Sequence, residues 1–324
     1  MYTQSKILKI VNEYISELSY AHAPNSLYDP VKYVLSLGGK RIRPVLMLMA
    51  YNLYKENVAE ILSPAAGLEI YHNFTLLHDD LMDKADMRRK KPTVHKVWDD
   101  NTAILSGDAM LILSYHYVSE CSSSYLKDVL NTFTQAALEV CDGQQYDMDF
   151  EHRNDVKEDE YLEMIRLKTS VLLAAALKMG AQLAGASVED ARNLYDFGEN
   201  IGIAFQLKDD LLDVYGDPKV FGKNIGGDIL CNKKTYMLMK ALERADKEQA
   251  AALQGWLDKV NFEPKEKIRE VTALYNQIGV KLVCEDLMRK YYAKGLESLS
   301  LVSVAEETKR ELRAVAEHLM YREM

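Results

Sequence analysis

Two short runs constrain this chain more than anything else in it. In Leu76-Leu77-His78-Asp79-Asp80-Leu81-Met82-Asp83, three carboxylates stand inside an apolar stretch, and the pattern returns as Gln206-Leu207-Lys208-Asp209-Asp210-Leu211-Leu212-Asp213. In each run the first and last Asp are four residues apart, which on a helix stacks them on one face. Ionised carboxylates withdrawn from water cost several kcal/mol each unless something balances them. An apolar helix carries such a set only where a cation sits beside it. Two such helices suggest one shared site, with the clusters facing each other across the core of a bundle.

The rest of the sequence supports helices. Only 7 Pro and 16 Gly punctuate 324 residues, and long windows place apolar residues at i, i+3 and i+4. The pattern predicts helices near 3–20, 28–37, 42–56, 60–84, 94–119, 123–142, 158–184, 188–215, 233–242 and 265–323, the last broken at Gly279 and Gly295. Val171 to Leu177 is apolar on every side, as in a helix surrounded by others. Strand signals are thin. The expected architecture is all-α: one domain spanning 1–324, a bundle of about ten or more helices. The irregular stretch from Tyr215 to Asn232, rich in Gly, Asp and Lys, follows the second acidic run directly and has the length of a functional lid.

Charge excludes some functions. With 40 basic against 49 acidic residues, the net charge of -9 argues against a nucleic-acid binder. The positive charge is local instead, at Lys40 to Arg43 and Arg88 to Lys91, which suits a small anion. Cys121, Cys141, Cys231 and Cys284 match no metal spacing and read as ordinary thiols. The first twenty residues carry no signal-peptide pattern, and no uncharged apolar run reaches membrane-spanning length. The expectation is a cytoplasmic protein without stable membrane insertion.

Paired hard-oxygen ligands of this kind suit Mg2+, which keeps several waters and is bound through one or two carboxylates plus phosphate oxygens. They imply a phosphate-bearing ligand. Gly38-Gly39-Lys40-Arg41-Ile42-Arg43-Pro44 places cations at a Gly-rich turn before a helix, where backbone N–H groups also favour anions. Arg88-Arg89 follows the first acidic run, and Lys168-Thr169, Lys223 and Lys233 add to the set.

Taken in order, Gly38–Pro44, His72 with Asp79–Asp83 and Arg88-Arg89, Gln144 with Asp147, Lys168-Thr169, and Phe205–Asp213 resemble the trans-isoprenyl diphosphate synthases, over roughly residues 38 to 236. The resemblance implies the isoprenoid synthase fold, with the helices around a central apolar cavity, usually as a homodimer. It also implies head-to-tail (1'-4) condensation of isopentenyl diphosphate with an allylic diphosphate. On it, Asp79, Asp80, Asp83, Asp209, Asp210 and Asp213 hold three Mg2+ per site on the allylic diphosphate. Lys40, Arg43, His72 and Arg89 match positions that bind isopentenyl diphosphate. Arg88, Lys168, Thr169, Gln206, Lys223 and Lys233 match positions around the allylic substrate, with Arg88, Lys168 and the aspartates in catalytic roles. The chain departs from the common pattern at Lys90, where Gly is usual, and at Ser170 after Lys168-Thr169.

Other readings explain less. Glu69-x-x-His72 is half of a di-iron signature, but no second Glu-x-x-His on an inward helix completes it. A class I terpene cyclase needs neither GGKRIRP nor His72, and its second motif mixes Asn, Ser or Thr with Glu. A non-catalytic subunit of a heteromeric synthase usually loses one acidic run, and both are intact here. Gln144 and Asp147 serve equally well as structural hydrogen-bond partners, and Arg322 reads as a solvated tail.

In the resembling family the growing chain runs from the metals toward the N-terminal part of the first acidic helix, where bulky residues form a floor. Phe74 lies five residues before Asp79, about 7.5 Å along a helix, and Thr75 lies directly beneath Asp79 on the helical wheel. Met110 and Leu111 of the next helix are further floor candidates. An aromatic at Phe74 resembles short-chain enzymes and predicts a farnesyl (fifteen-carbon) or geranylgeranyl (twenty-carbon) product, leaning to twenty.

Overall fold

Helices follow from stripes of apolar residues closed by recognisable caps. The computed structural model describes residues 1–19, 23–216 and 225–321, and among these the chain is helical almost throughout. It forms two compact units, one of residues 1–134, 175–195 and 302–312, the other of residues 135–174, 196–301 and 313–324.

In the first unit, α1 (Gln4–Glu17) starts at Thr3, whose hydroxyl accepts from the Lys6 N–H, and buries Ile7, Val11 and Ile15 as one stripe. After α2 (Asn25–Ser36), α3 (Ile42–Asn52) is buried from Pro44 onward. A 3-10 turn, Val58–Ile61, leads into α4 (Leu62–Met82), the helix of the first acidic run. The only strands among the described residues form a two-residue hairpin, β1 (Met87–Arg88) with β2 (Lys91–Pro92). The helix predicted over 94–119 is two: one turn, α5 (Val94–Val97), and then α6 (Asp100–Ser119). Asp99 makes the break. Its backbone is extended and its carboxylate accepts from the Thr102 N–H at 2.8 Å, so it caps a new helix rather than continuing the old one.

Helix α7 (Ser123–Glu151) runs nine residues past its predicted end, through Gly143. The predicted helix 158–184 is continuous but contains a wide turn. After α8 (Glu158–Ile165), residues Arg166–Ser170 form a π-helical segment before α9 (Val171–Ala184). Val171 to Leu177 are all buried, as their uniform apolarity demands. Helix α10 (Val188–Tyr215) carries the second acidic run.

The second unit continues with α11 (Gly227–Leu230), α12 (Tyr236–Arg244), α13 (Lys247–Asp258), α14 (Pro264–Ile278) and α15 (Val280–Ser300). Its core runs from Phe150 and Tyr161 through Leu207 and Leu211 to Val271, Tyr275 and Met288. Apolar periodicity does not predict helix α13. Asp246 caps it in a capping box with Gln249, yet it buries only Leu253, so its apolar signal is weak. The predicted break at Gly279 is present; the one at Gly295 is not, and α15 runs through it. The chain breaks instead before α16 (Glu306–Met320), where Asp190 accepts from the Ser303 N–H (2.8 Å) and hydroxyl (2.6 Å). No described helix is long and apolar enough to cross a membrane.

Candidate active site

The Gly-rich turn before α3 is shaped by its backbone. Gly38 and Gly39 have φ of 76° and 138°, and Arg41, at the N-cap of α3, has φ of 50°. The Gly39 dihedral favours glycine, and a Cβ there would lie 2.7 Å from Arg89 Nη2 and displace that guanidinium. Arg89 rests on this turn and donates to the Gly38 carbonyl. The left-handed Arg41 turns its side chain inward. Its Nη1 donates to Glu69 Oε1 at 2.8 Å and its Nη2 to the Leu35 carbonyl at 2.7 Å. Arg41 is 5% and Glu69 2% exposed. That buried pair removes Glu69 from the di-iron reading.

His72 stands half-buried, one turn beyond Glu69. Burial, reinforced by Arg43, Arg89, Arg88 and Arg41, holds its imidazole well below the usual pKa, so it is neutral at pH 7. Burial also lowers Arg43 to about 10, with Glu69 opposing and Arg89 assisting. Lys40 is exposed beside them. The four residues predicted to bind isopentenyl diphosphate thus lie within one unit, and three of them interact electrostatically.

The first acidic run occupies the last turns of α4. Asp80 is buried, Asp79 is half-buried and Asp83 is exposed. Arg88 faces Asp80 side-on, its Nε 2.9 and 3.1 Å from the two carboxylate oxygens, and its Nη2 lies 3.5 Å from Asp79 Oδ2. Burial raises the Asp80 carboxyl above its usual range in spite of Arg88. For Arg88 itself burial opposes the charge, but Asp80, Asp79 and Asp83 outweigh it.

Phe74 is half-buried on α4, with ring centroids 5.5 Å from Tyr71 and 4.8 Å from His78. It packs against the cluster containing Met110. The Thr75 hydroxyl donates to the His72 carbonyl at 2.8 Å.

In the second unit the π-helical segment presents Lys168 and Thr169. It fits because glycine lies on both neighbouring helices: a Cβ at Gly143 of α7 would collide with the Lys168 backbone nitrogen, and one at Gly202 of α10 would lie 2.7 Å from Ser170 Cα. Single π turns of this kind cluster at functional sites. Lys168 Nζ donates to Asp147 Oδ2 at 2.6 Å, and Lys233 Nζ stands 4.0 Å from the same oxygen. Burial works to raise the Asp147 carboxyl, but Lys233 and Lys168 hold it below the usual range. The Thr169 hydroxyl donates to Gln206 Oε1 at 3.2 Å, and Gln206 Nε2 to Asp210 Oδ1 at 3.1 Å. Tyr161 donates to the other Asp210 oxygen.

Asp210 is therefore engaged on both oxygens, and burial together with nearby Asp228 pushes its carboxyl up to about 7. Asp209 and Asp213 are less buried. Asp213 Oδ2 accepts from the Asp228 N–H at 3.0 Å and anchors the start of α11. Lys223 and Arg322 lie outside the described residues. The sequence pattern shows Arg41 only as one cation of the Gly-rich turn and Glu69 only as half of a di-iron signature, and it singles out neither Tyr161 nor Asp228. Their partners lie far away along the chain, and only the charges of Arg41, Glu69 and Asp228 are visible in the sequence.

Among the described residues, no three Asp, Glu, His or Cys side chains converge closely enough to enclose a cation by themselves. That donor set fits Mg2+ only where water and substrate phosphate complete the shell.

An all-helical chain carrying two such carboxylate runs with arginine and lysine around them has the isoprenoid synthase fold, as its structural neighbours confirm. The Polyprenyl synthetase family profile matches residues 24–277. A short chain isoprenyl diphosphate synthase of Methanocaldococcus jannaschii is 39% identical over 82% of this chain and 81% of its own. A geranylgeranyl diphosphate synthase of Methanosarcina mazei is 36% identical over 97% of this chain and 95% of its own. A crystal structure of a geranylgeranyl pyrophosphate synthase superposes over all of both chains with a TM-score of 0.95 at 43% identity. The chain belongs to the polyprenyl synthetase family, as a prenyltransferase of the short-chain trans-isoprenyl diphosphate synthase type.

Proposed function

We propose that this chain joins isopentenyl diphosphate head-to-tail (1'-4) to an allylic diphosphate, releases diphosphate, and ends at geranylgeranyl diphosphate. The observation that carries the reading is the knot of Arg41, Arg43, Arg88 and Arg89 around a neutral His72. Glu69 offsets Arg41 and Asp80 offsets Arg88, and the further charge of Arg43 and Arg89 in a half-buried place suits a diphosphate, whose oxygens accept forked bonds from guanidinium groups. Lys40, Arg43, His72 and Arg89 take the isopentenyl diphosphate. Arg88, Lys168, Thr169, Gln206, Lys223 and Lys233 take the allylic diphosphate, and Arg88 and Lys168 stabilise the charge that builds on the leaving group.

Asp79, Asp80, Asp83, Asp209, Asp210 and Asp213 would hold Mg2+, three ions per site. The metal, when bound, supplies further positive charge to the departing diphosphate. Several of the six already serve other partners that a metal would share or displace: Arg88 at Asp80 and Asp79, Tyr161 and Gln206 at Asp210, and the Asp228 N–H at Asp213. A dry apolar lining protects the allylic cation from water.

Both units draw on interleaved segments of the chain, which supports reading 1–324 as one domain. Helix α6 leaves Ile104, Leu105 and Ile112 between 44% and 69% exposed. Exposed apolar side chains of that size on one helix mark an association surface and support a homodimer. With no membrane-crossing helix among the described residues, we place it in the cytoplasm.

The test is to incubate the purified chain with Mg2+, isopentenyl diphosphate and, in turn, dimethylallyl, geranyl and farnesyl diphosphate, and to size the products by chromatography. Twenty-carbon product from each primer, abolished by EDTA, is expected. No condensation would refute the reaction, a main product of fifteen or twenty-five carbons would refute the product length, and products beyond twenty-five carbons would refute the short-chain reading.

A further inference from the structure

We infer that Glu69 is a positioning residue of the isopentenyl diphosphate pocket, a buried carboxylate that fixes the Gly38–Arg43 turn through Arg41 and so sets where Lys40, Arg43 and Arg89 present their charges. The inference rests on the pocket reading given above.

Glu69 is 2% exposed. One of its oxygens accepts from Arg41 at 2.8 Å and from Asn73 Nδ2 at 3.1 Å; the other is buried without a hydrogen-bond partner. Asn73, 1% exposed, also donates to the Glu69 carbonyl at 2.8 Å. The carboxylate is therefore clamped from its own helix and aimed at Arg41. Arg41 answers with a forked reach, to Glu69 and to the Leu35 carbonyl, and does so from a left-handed backbone at the entry to α3. One residue before it, across Lys40, lies the Gly38-Gly39 turn on which the Arg89 guanidinium rests. Two residues after it lies Arg43, whose Nε is buried without a hydrogen-bond partner. Arg43 and Arg89 repel each other, and Glu69 is the anion that acts on both. One buried negative charge thus offsets a cluster of cations that would otherwise spread apart.

Two effects of removing that charge oppose each other, which makes the sign informative. A more positive pocket would by itself bind a diphosphate more tightly. A turn no longer held would misplace the cations and bind it more weakly. The buried, forked and doubly clamped pair argues that position dominates.

The test compares steady-state kinetics of Glu69→Gln, Arg41→Lys and Arg89→Ala in the full chain. Glu69→Gln should raise KM for isopentenyl diphosphate about tenfold or more, leave KM for the allylic diphosphate within about twofold, and change kcat by less than about threefold. Arg41→Lys, which keeps the charge but cannot fork, should reproduce the selective rise at smaller size and covers the case in which Glu69→Gln does not fold. An unchanged or lower KM for isopentenyl diphosphate in both variants overturns the proposal. So does a rise of both KM values together, which marks a general structural role. If Arg89→Ala also leaves that KM unmoved, the pocket reading itself has failed; if Arg89→Ala raises it while Glu69→Gln and Arg41→Lys do not, only the role of Glu69 has.

Discussion

Arg88 grips Asp80 through Nε, 2.9 Å from one oxygen and 3.1 Å from the other, and this contact ties the β1 hairpin to the end of α4. Asp80 is buried while Arg88 is about a quarter exposed at its side chain, so screening reduces but does not remove the value of the pair. Arg88→Gln is expected to cost about 1–2 kcal/mol of stability, because a buried carboxylate loses charge-assisted hydrogen bonds. Arg88→Gln combined with Asp80→Asn should cost less than the two single losses added together, since the second change removes the orphaned charge. Denaturant unfolding of the four proteins measures this; strict additivity would show that the two residues do not couple.

His72 predicts a pH dependence. Its folded pKa lies well below the ordinary 6.5, first through burial and then through the surrounding arginines. Above pH 6.5 the imidazole is neutral in both folded and unfolded chains, and its contribution to stability is fully present. As pH falls below 6.5 the unfolded chain takes up a proton that the folded chain refuses, so stability is lost by at most about 1.4 kcal/mol per pH unit. His72→Gln should therefore lose stability less steeply than the parent between pH 6.5 and 5. Equal slopes in urea titrations across that range would contradict the half-buried, neutral assignment.

The hairpin turn offers a stabilising change. Arg89 and Lys90 have φ of 52° and 64°, the backbone of a turn that favours glycine. A non-glycine residue in the left-handed region costs roughly 1–2 kcal/mol, while glycine's extra freedom in the unfolded chain costs roughly 0.5–1 kcal/mol. The first effect is the larger, so Lys90→Gly should stabilise by up to about 1 kcal/mol, visible as a higher Tm by calorimetry. A lower Tm would mean that the Lys90 side chain contributes more than the backbone strain costs.

What the sequence discloses and what it hides divide along physical lines. Periodicity places α1, α4 and α10 because each has a long apolar stripe or fully apolar run. Glycine misleads in two places. Gly143 and Gly295 look like helix stops, yet both lie inside helices: the first packs on the Lys168 backbone, and a Cβ at the second would meet the Ile201 side chain at 2.9 Å. A missing Cβ serves close packing as well as flexibility, and a single sequence does not say which. In the site, charged residues at helical spacing are legible because their cost demands a partner. Which partner is not. Arg41 with Glu69 and Tyr161 with Asp210 join residues 28 and 49 positions apart, and no local pattern encodes such pairs.

The same limit applies to product length, for which the two candidate floor residues are neighbours on α4. Thr75 lies beneath Asp79 on the wheel, but it is small and its hydroxyl is tied to the His72 carbonyl. Phe74 is large, packs on Tyr71 and His78, and adjoins the cluster of Met110. A floor has to be bulky and held in place, which favours Phe74. Phe74→Ala removes a partly buried aromatic ring and should cost about 2–4 kcal/mol, toward the lower part of the range for aromatic truncation because the residue is not fully enclosed. If the ring ends the cavity, its loss should also shift the main product upward by at least one five-carbon unit, while Thr75→Ala leaves it unchanged. Chromatographic sizing of products from farnesyl diphosphate, run below the variant's Tm, separates the two effects. A Phe74→Ala enzyme that is less stable but makes the parental product would show that the ring is core packing and that the chain is measured elsewhere.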